Sequence, residues 1–172
     1  MWVFGYGSLM WDGWESSRGC IKRIPAKLFR YRRIFNKASV KNWGTKKLPG
    51  PTLNLISEKS SICWGIAFKF SYESRDILLS YLRKREGKGF SFDELEIKLD
   101  SGRLVKAIVP IYVGQNLLDD SKSLEEIAEM IKRAKGISGY CLDYVKGIVK
   151  KLDELKIEDQ YVSEIWQLIN PQ

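Results

Sequence analysis

The 172-residue sequence contains no histidine. That absence removes every Ser-His-Asp and Cys-His nucleophile and every zinc site that needs imidazole. Acid–base chemistry near neutral pH must then fall to a carboxylate, lysine, tyrosine, cysteine or an α-amino group, with its pKa moved to suit. Cysteine is scarce and odd in number. Cys20, Cys63 and Cys141 are widely separated, form no CxxC pair and no metal-ligand cluster, and read as reduced thiols of a cytoplasmic protein. No apolar run approaches the roughly 18 residues a helix needs to cross a membrane. The opening Met-Trp-Val-Phe-Gly-Tyr also lacks the basic and apolar regions of a signal peptide, so no membrane association is expected.

Acidic residues are missing from a long stretch, with none between Ser16 and Ser57. Residues 1–57 carry eleven Lys and Arg against Asp12 and Glu15, and the remainder is close to neutral, so the net charge of +8 sits in the first third. Such an asymmetry suits an anionic partner, either a polyphosphate backbone or a small carboxylate substrate, and equally a solvated basic strand face. Hydrophobic residues make up 44% of the chain and aromatics 12%, which argues against disorder. No linker, repeat or low-complexity segment is visible, and residues 1–172 read as a single domain.

Trp2-Val3-Phe4-Gly5 is a short apolar run and reads as a buried first strand. Ala26 to Phe35 predicts a second strand. A turn at Leu48–Pro51 precedes a short strand near Thr52–Ile56, and Ile62 to Phe70 predicts another strand with Ile62, Trp64, Ile66, Phe68 and Phe70 on one face. Ile77, Leu78, Tyr81 and Leu82 then recur at helical spacing, predicting a helix from near Glu73 to near Arg85. A hairpin follows, turning at Asp100-Ser101-Gly102. Beyond Gly114 the pattern is helical throughout: one helix opened by a Ser123/Glu126 capping box and ended by Gly136, one from Ser138, and one from Asp159. Strands first, one embedded helix, then helices predict an α+β fold built on a small mixed β-barrel or curled sheet.

Two places draw attention chemically. Gly5-Tyr6-Gly7-Ser8-Leu9 follows the first strand, where paired glycines permit unusual φ values and close backbone approach, and such a turn can aim N–H groups at an anion. It is not a dinucleotide fingerprint, because Met10 occupies the third glycine position, and an ordinary tight turn is the competing reading. Glu86 ends a helix before Gly87-Lys88-Gly89. There the helix dipole raises a carboxylate pKa, as a general base requires, while Arg83, Lys84 and Arg85 oppose that rise if they are close. A charged helix end on the surface is the competing reading. Tyr140 and Tyr144 lie one turn apart, and core packing explains both, although one phenol can reach a site. The basic stretch with interleaved aromatics, Arg18 to Lys47, is compatible with single-stranded nucleic acid, but carries no recognition signature.

From Trp2 to Trp11 the chain resembles the ChaC-type γ-glutamylcyclotransferases, whose hallmark is a strand running into this Tyr-Gly-Ser-Leu turn. Matching segments follow in order: Arg18-Gly19, Pro49-Gly50-Pro51-Thr52-Leu53, Cys63-Trp64-Gly65-Ile66-Ala67, Tyr81-Leu82-Arg83-Lys84-Arg85-Glu86, Tyr112-Val113-Gly114, and Ala134–Gly139 with Asp143-Tyr144. The resemblance spans almost the whole chain. It implies a small mixed barrel with no metal and no cofactor. It also implies cleavage of a γ-glutamyl amide by its own α-amino group, giving 5-oxoproline and a free amine.

The resemblance further assigns roles. Glu86 is the expected proton acceptor. Gly5, Tyr6, Gly7, Ser8, Leu9 and Met10 are the expected substrate-binding turn, and Tyr144 is an expected substrate-binding residue. The segment Phe35 to Gly44, together with Cys141 and Asp143, departs from the glutathione-acting pattern, so γ-glutamyl amino acids and amines join glutathione as candidate substrates. The alternatives are a nucleic-acid-binding module using the Arg18–Lys47 surface and a catalytically silent binder of γ-glutamyl metabolites.

Overall fold

The computed structural model of the chain describes residues 1–170. Five strands close into a barrel in the order β1-β3-β2-β4-β5: β1 (Trp2–Gly5), β2 (Lys22–Ser39), β3 (Gly50–Lys69), β4 (Phe90–Leu99) and β5 (Leu104–Tyr112). β1 runs antiparallel to β3, with Trp2 opposite Lys69 and Gly5 opposite Ile66, and closes the barrel against β5 by a parallel pairing of Val3 with Ile108. The α+β class and the small mixed barrel are as the sequence indicates.

The chain divides into two compact units. The first contains Met1–Arg32 and Leu55–Gln115, including β1, β4, β5 and α1 (Arg75–Glu86). Its apolar centre holds Val3, Phe4, Phe68, Phe70, Leu82, Ile97 and Val109. β4 and β5 form the expected hairpin, paired from Phe90–Tyr112 to Lys98–Leu104. A 3-10 turn at Tyr72–Ser74 leads into α1, which buries Leu78, Leu79 and Leu82. The helix is where the sequence places it, but its face is rotated: Ile77 is 75% exposed and Leu79 takes its place inside.

β3 corrects the expectation of two strands near Thr52–Ile56 and Ile62–Phe70. It is one strand of 20 residues that runs straight through Ser57-Glu58-Lys59-Ser60-Ser61. A polar stretch continues a strand when it lies on a solvated ribbon, since ladder hydrogen bonds do not need apolar side chains. Here the Arg32 Nε to Glu58 Oε1 contact at 2.9 Å adds an ion pair between the neighbouring strands β2 and β3. Ile62 on that ribbon is exposed, and the adjacent Cys63 is buried instead.

The second unit contains Arg33–Asn54 and the chain from Asn116 onward, with α2 (Leu124–Arg133), α3 (Cys141–Glu154) and α4 (Gln160–Ile169). The Ser123/Glu126 capping box forms in full, each side chain accepting the other's backbone N–H. α2 ends at Arg133 rather than at Gly136, because Lys135–Gly136 (β6) pairs with Gly139–Tyr140 (β7) in a two-stranded ribbon. This segment is therefore not helical throughout, and α3 begins at Cys141 rather than Ser138. Inside the unit Ile131, Val145, Ile148 and Ile165 are fully buried.

Asp159 does two jobs there. One carboxylate oxygen caps α4 by accepting the Val162 N–H at 3.1 Å, and the other meets Nε of the buried Arg33 at 3.0 Å. Removing one partner of a buried ion pair leaves a desolvated charge. Asp159→Ala is expected to destabilise the protein by about 3 kcal/mol or more in urea unfolding, with Asp159→Asn losing less because it keeps the cap. An unchanged unfolding midpoint in both variants would show that this pair does not hold α4.

Candidate active site

β1 delivers the chain into the Tyr-Gly-Ser-Leu turn in a way that depends on Gly5. A Cβ at Gly5 would lie 2.9 Å from the Leu9 Cβ and 3.2 Å from the Phe68 ring, so glycine is what lets the chain fold back against itself. Neither Gly5 nor Gly7 uses the positive φ that glycine permits. Packing rather than backbone conformation sets the requirement at Gly5. Ser8–Met10 then forms one 3-10 turn, whose first hydrogen bond runs from the Met10 N–H to the Gly7 carbonyl at 2.9 Å. The N–H groups of Ser8 and Leu9 precede that bond and lie outside the turn's own pairing.

The side chains of the turn mostly face inward. Tyr6, Leu9 and Met10 are buried, and the Tyr6 hydroxyl donates to the Pro110 carbonyl at 2.8 Å, pinning the turn to β5. The indole N–H of Trp14 donates to the Leu9 carbonyl at 3.0 Å. Ser8 is the half-buried residue of the turn, and Gly5 and Gly7 are buried with the rest.

Glu86 is the last residue of α1. Gly87 follows at φ 82°, a conformation open to glycine, and its N–H closes the helix on the Arg83 carbonyl at 3.0 Å. Of the three adjacent cations, Arg83 and Lys84 are exposed, while Arg85 turns inward. Arg85 Nε donates to Glu86 Oε1 at 3.0 Å, and a terminal nitrogen donates to Ser8 Oγ at 3.3 Å and to Asp12 Oδ2. Burial lowers the Arg85 pKa, but the carboxylates of Asp12 and Glu86 more than offset it and raise the value overall. The Glu86 side chain is 16% exposed. Within the first unit, Gly5–Met10 and Glu86 are thus brought together, with one guanidinium between them.

Tyr144 belongs to the second unit. It is buried, packs on Trp43 at a centroid distance of 5.5 Å, and accepts the Leu53 N–H on its hydroxyl at 3.1 Å. Core packing was expected for Tyr140 as well, but this ring is half exposed on the β6–β7 ribbon.

Sequence reasoning treated Arg85 as one of three helix-end charges and did not single out Asp12 or Trp14. A signal was present in the scarcity of acid: Asp12 and Glu15 are the two acidic residues among the first 57, and both bind arginines. Several cations of the basic stretch are likewise engaged. Arg23 pairs with Glu15, Arg32 with Glu58 and Arg33 with Asp159, while Arg18 lies over the Tyr81 ring and Lys27 over that of Trp64. Among the described residues, no three Cys, Asp or Glu side chains gather as a metal ion would require, and no helix is long and apolar enough to cross a membrane.

A first strand running into this turn is what the resemblance to the ChaC-type γ-glutamylcyclotransferases leads one to expect. The model of the ChaC-like protein family matches residues 1–172, and the chain belongs to that family. Similar proteins include gamma-glutamylcyclotransferase 2-3 of Arabidopsis thaliana, 33% identical over 96% of this chain and 86% of that protein. The glutathione-specific gamma-glutamylcyclotransferase of Escherichia coli is 28% identical over 96% of this chain and 71% of that protein. Among solved structures, a yeast glutathione-specific γ-glutamyl cyclotransferase superposes with a TM-score of 0.84 at 22% identity, covering 99% of this chain and 95% of that one, which shows the shared fold.

The role of Gly5 is directly testable. Gly5→Ala forces Leu9 or Phe68 to move and is expected to cost about 1–3 kcal/mol in chemical unfolding, as overpacking does. A variant as stable as wild type would show that the turn has room for a side chain.

Proposed function

We propose that the chain is a γ-glutamylcyclotransferase that cleaves a γ-glutamyl amide, releasing 5-oxoproline and the free amine, with Glu86 as general acid and base. The observation that carries this reading is the contact of one guanidinium with both the Glu86 carboxylate and Ser8 of the turn. It holds a proton acceptor beside backbone N–H groups suited to an oxyanion or a substrate carboxylate.

The reaction balances with one carboxylate. The substrate α-ammonium gives a proton to Glu86, and the freed nitrogen attacks the γ-carbonyl carbon. The carbonyl oxygen gathers charge that N–H donors of the turn stabilise. The C–N bond of the amide then breaks as the Glu86 carboxyl returns its proton to the departing nitrogen, and the ring nitrogen passes its remaining extra proton through the same carboxylate to the released amine, leaving a neutral lactam and an ammonium. No water enters and no second base is needed, in keeping with a chain that lacks histidine. Attack within one molecule also gains the rate advantage of an effective concentration far above any free amine.

The substrate class is a γ-glutamyl amide, with glutathione supported first by the names of the similar proteins. Free Cys20, Cys63 and Cys141 suit work in the reducing cytoplasm. A part for Tyr144 in substrate binding rests on the family resemblance.

Glu86→Gln keeps shape and removes the proton acceptor. It is expected to lower 5-oxoproline release from glutathione or γ-glutamylalanine by about 100-fold or more with an unchanged circular dichroism spectrum. Turnover like wild type in that variant would contradict the assignment.

A further inference from the structure

We propose that Arg85 is a positioning residue for Glu86 and that Asp12 holds Arg85 in place, making turn and helix end one preorganised unit. This rests on the reading of Glu86 as the acid and base.

A guanidinium offers five N–H donors in a rigid plane, and Arg85 uses them on three segments of chain at once. Nε faces Glu86, while a terminal nitrogen faces Ser8 of the turn and Asp12 of the loop behind it. Asp12 is itself fixed from the other side, since its Oδ1 accepts the Trp14 N–H at 3.2 Å. Trp14 continues the linkage. Its indole N–H holds the Leu9 carbonyl, and its ring stacks on Tyr81, four residues before Arg85 on the same helix face. The path from turn to Trp14 to Asp12 to Arg85 to Glu86 therefore closes on itself through α1. Freedom at any one member is limited by the others.

Charge supports the same assignment. One cation stands between two carboxylates, so the group of Asp12, Arg85 and Glu86 carries one net negative charge. That sign attracts a substrate ammonium, whereas Arg85 paired with Glu86 alone would cancel it. Asp12 thus keeps Arg85 from neutralising Glu86 while holding the guanidinium where Glu86 needs it.

Steady-state kinetics of Arg85→Ala, Asp12→Asn and Glu86→Gln with glutathione and γ-glutamylalanine, alongside thermal melts, test this. Arg85→Ala is expected to lose about 100-fold in kcat with KM within about threefold, as a misplaced catalytic group does. Added guanidinium ion, below denaturing concentration, should restore part of that loss in Arg85→Ala and none in Glu86→Gln. Asp12→Asn, which keeps the Trp14 contact, should lose about tenfold in kcat while melting near wild type. Wild-type kcat in folded Arg85→Ala and Asp12→Asn would overturn the proposal. So would a rise in KM alone, absent rescue by guanidinium, or losses that only follow the folded fraction. Should Arg85→Ala fail to fold, Asp12→Asn decides. Loss of turnover in Glu86→Gln with wild-type kcat in the other two overturns this inference alone. Retained turnover in Glu86→Gln overturns the base assignment, and this inference with it.

Discussion

A single guanidinium organises the first unit's chemical end. Arg85 joins Glu86 at the end of α1, Ser8 in the turn after β1, and Asp12 in the loop that follows. Each of these segments has its own reason to be where it is. Gly5 allows the turn to double back on Leu9, Gly87 stops the helix just after Glu86, and Trp14 ties the loop to both Leu9 and Tyr81. Those local constraints bring the three acceptors to one point, and the guanidinium converts their proximity into a fixed geometry. Charge-assisted contacts of this kind are short and directional, which is why an arginine rather than a lysine suits the position.

The sequence carries much of this in its local patterns. A four-residue apolar run ending in glycine is enough to place β1, and Ser123 with Glu126 is enough to place the start of α2. Alternation around Asp100-Ser101-Gly102 places the β4–β5 hairpin. These features are legible because each depends on neighbours a few residues away. What escaped are relations between distant residues. Asp12 and Arg85 are 73 positions apart, and no periodicity links them. The continuity of β3 through Ser57–Ser61 depends on its neighbour β2 rather than on its own polar residues. The rotation of α1 that buries Leu79 and exposes Ile77 is likewise decided by what the helix packs against, since both positions are apolar.

The basic first third also changes meaning. In sequence it carries no acidic residue between Ser16 and Ser57, and is open to reading as a surface for a polyanion. In the structure Arg23, Arg32 and Arg33 are each committed to a carboxylate, two of which come from outside that third of the chain. Arg33 is buried to 1% exposure and serves as the anchor of α4. The positive charge is thus partly internal structure, and the proposed reaction gives to a carboxylate the proton transfers for which no histidine is present. Glu86, proposed for that task, stands at a helix end partly screened from water and is linked through Arg85 to Ser8 of the turn.

Running the reaction in water enriched in oxygen-18 tests the central claim of intramolecular cyclisation most directly. The account predicts unlabelled 5-oxoproline in equal amount to the released amine, because the γ-carbonyl keeps its own oxygen and no water takes part. Glutamate carrying oxygen-18 as the primary product would mean attack by water, and would contradict it.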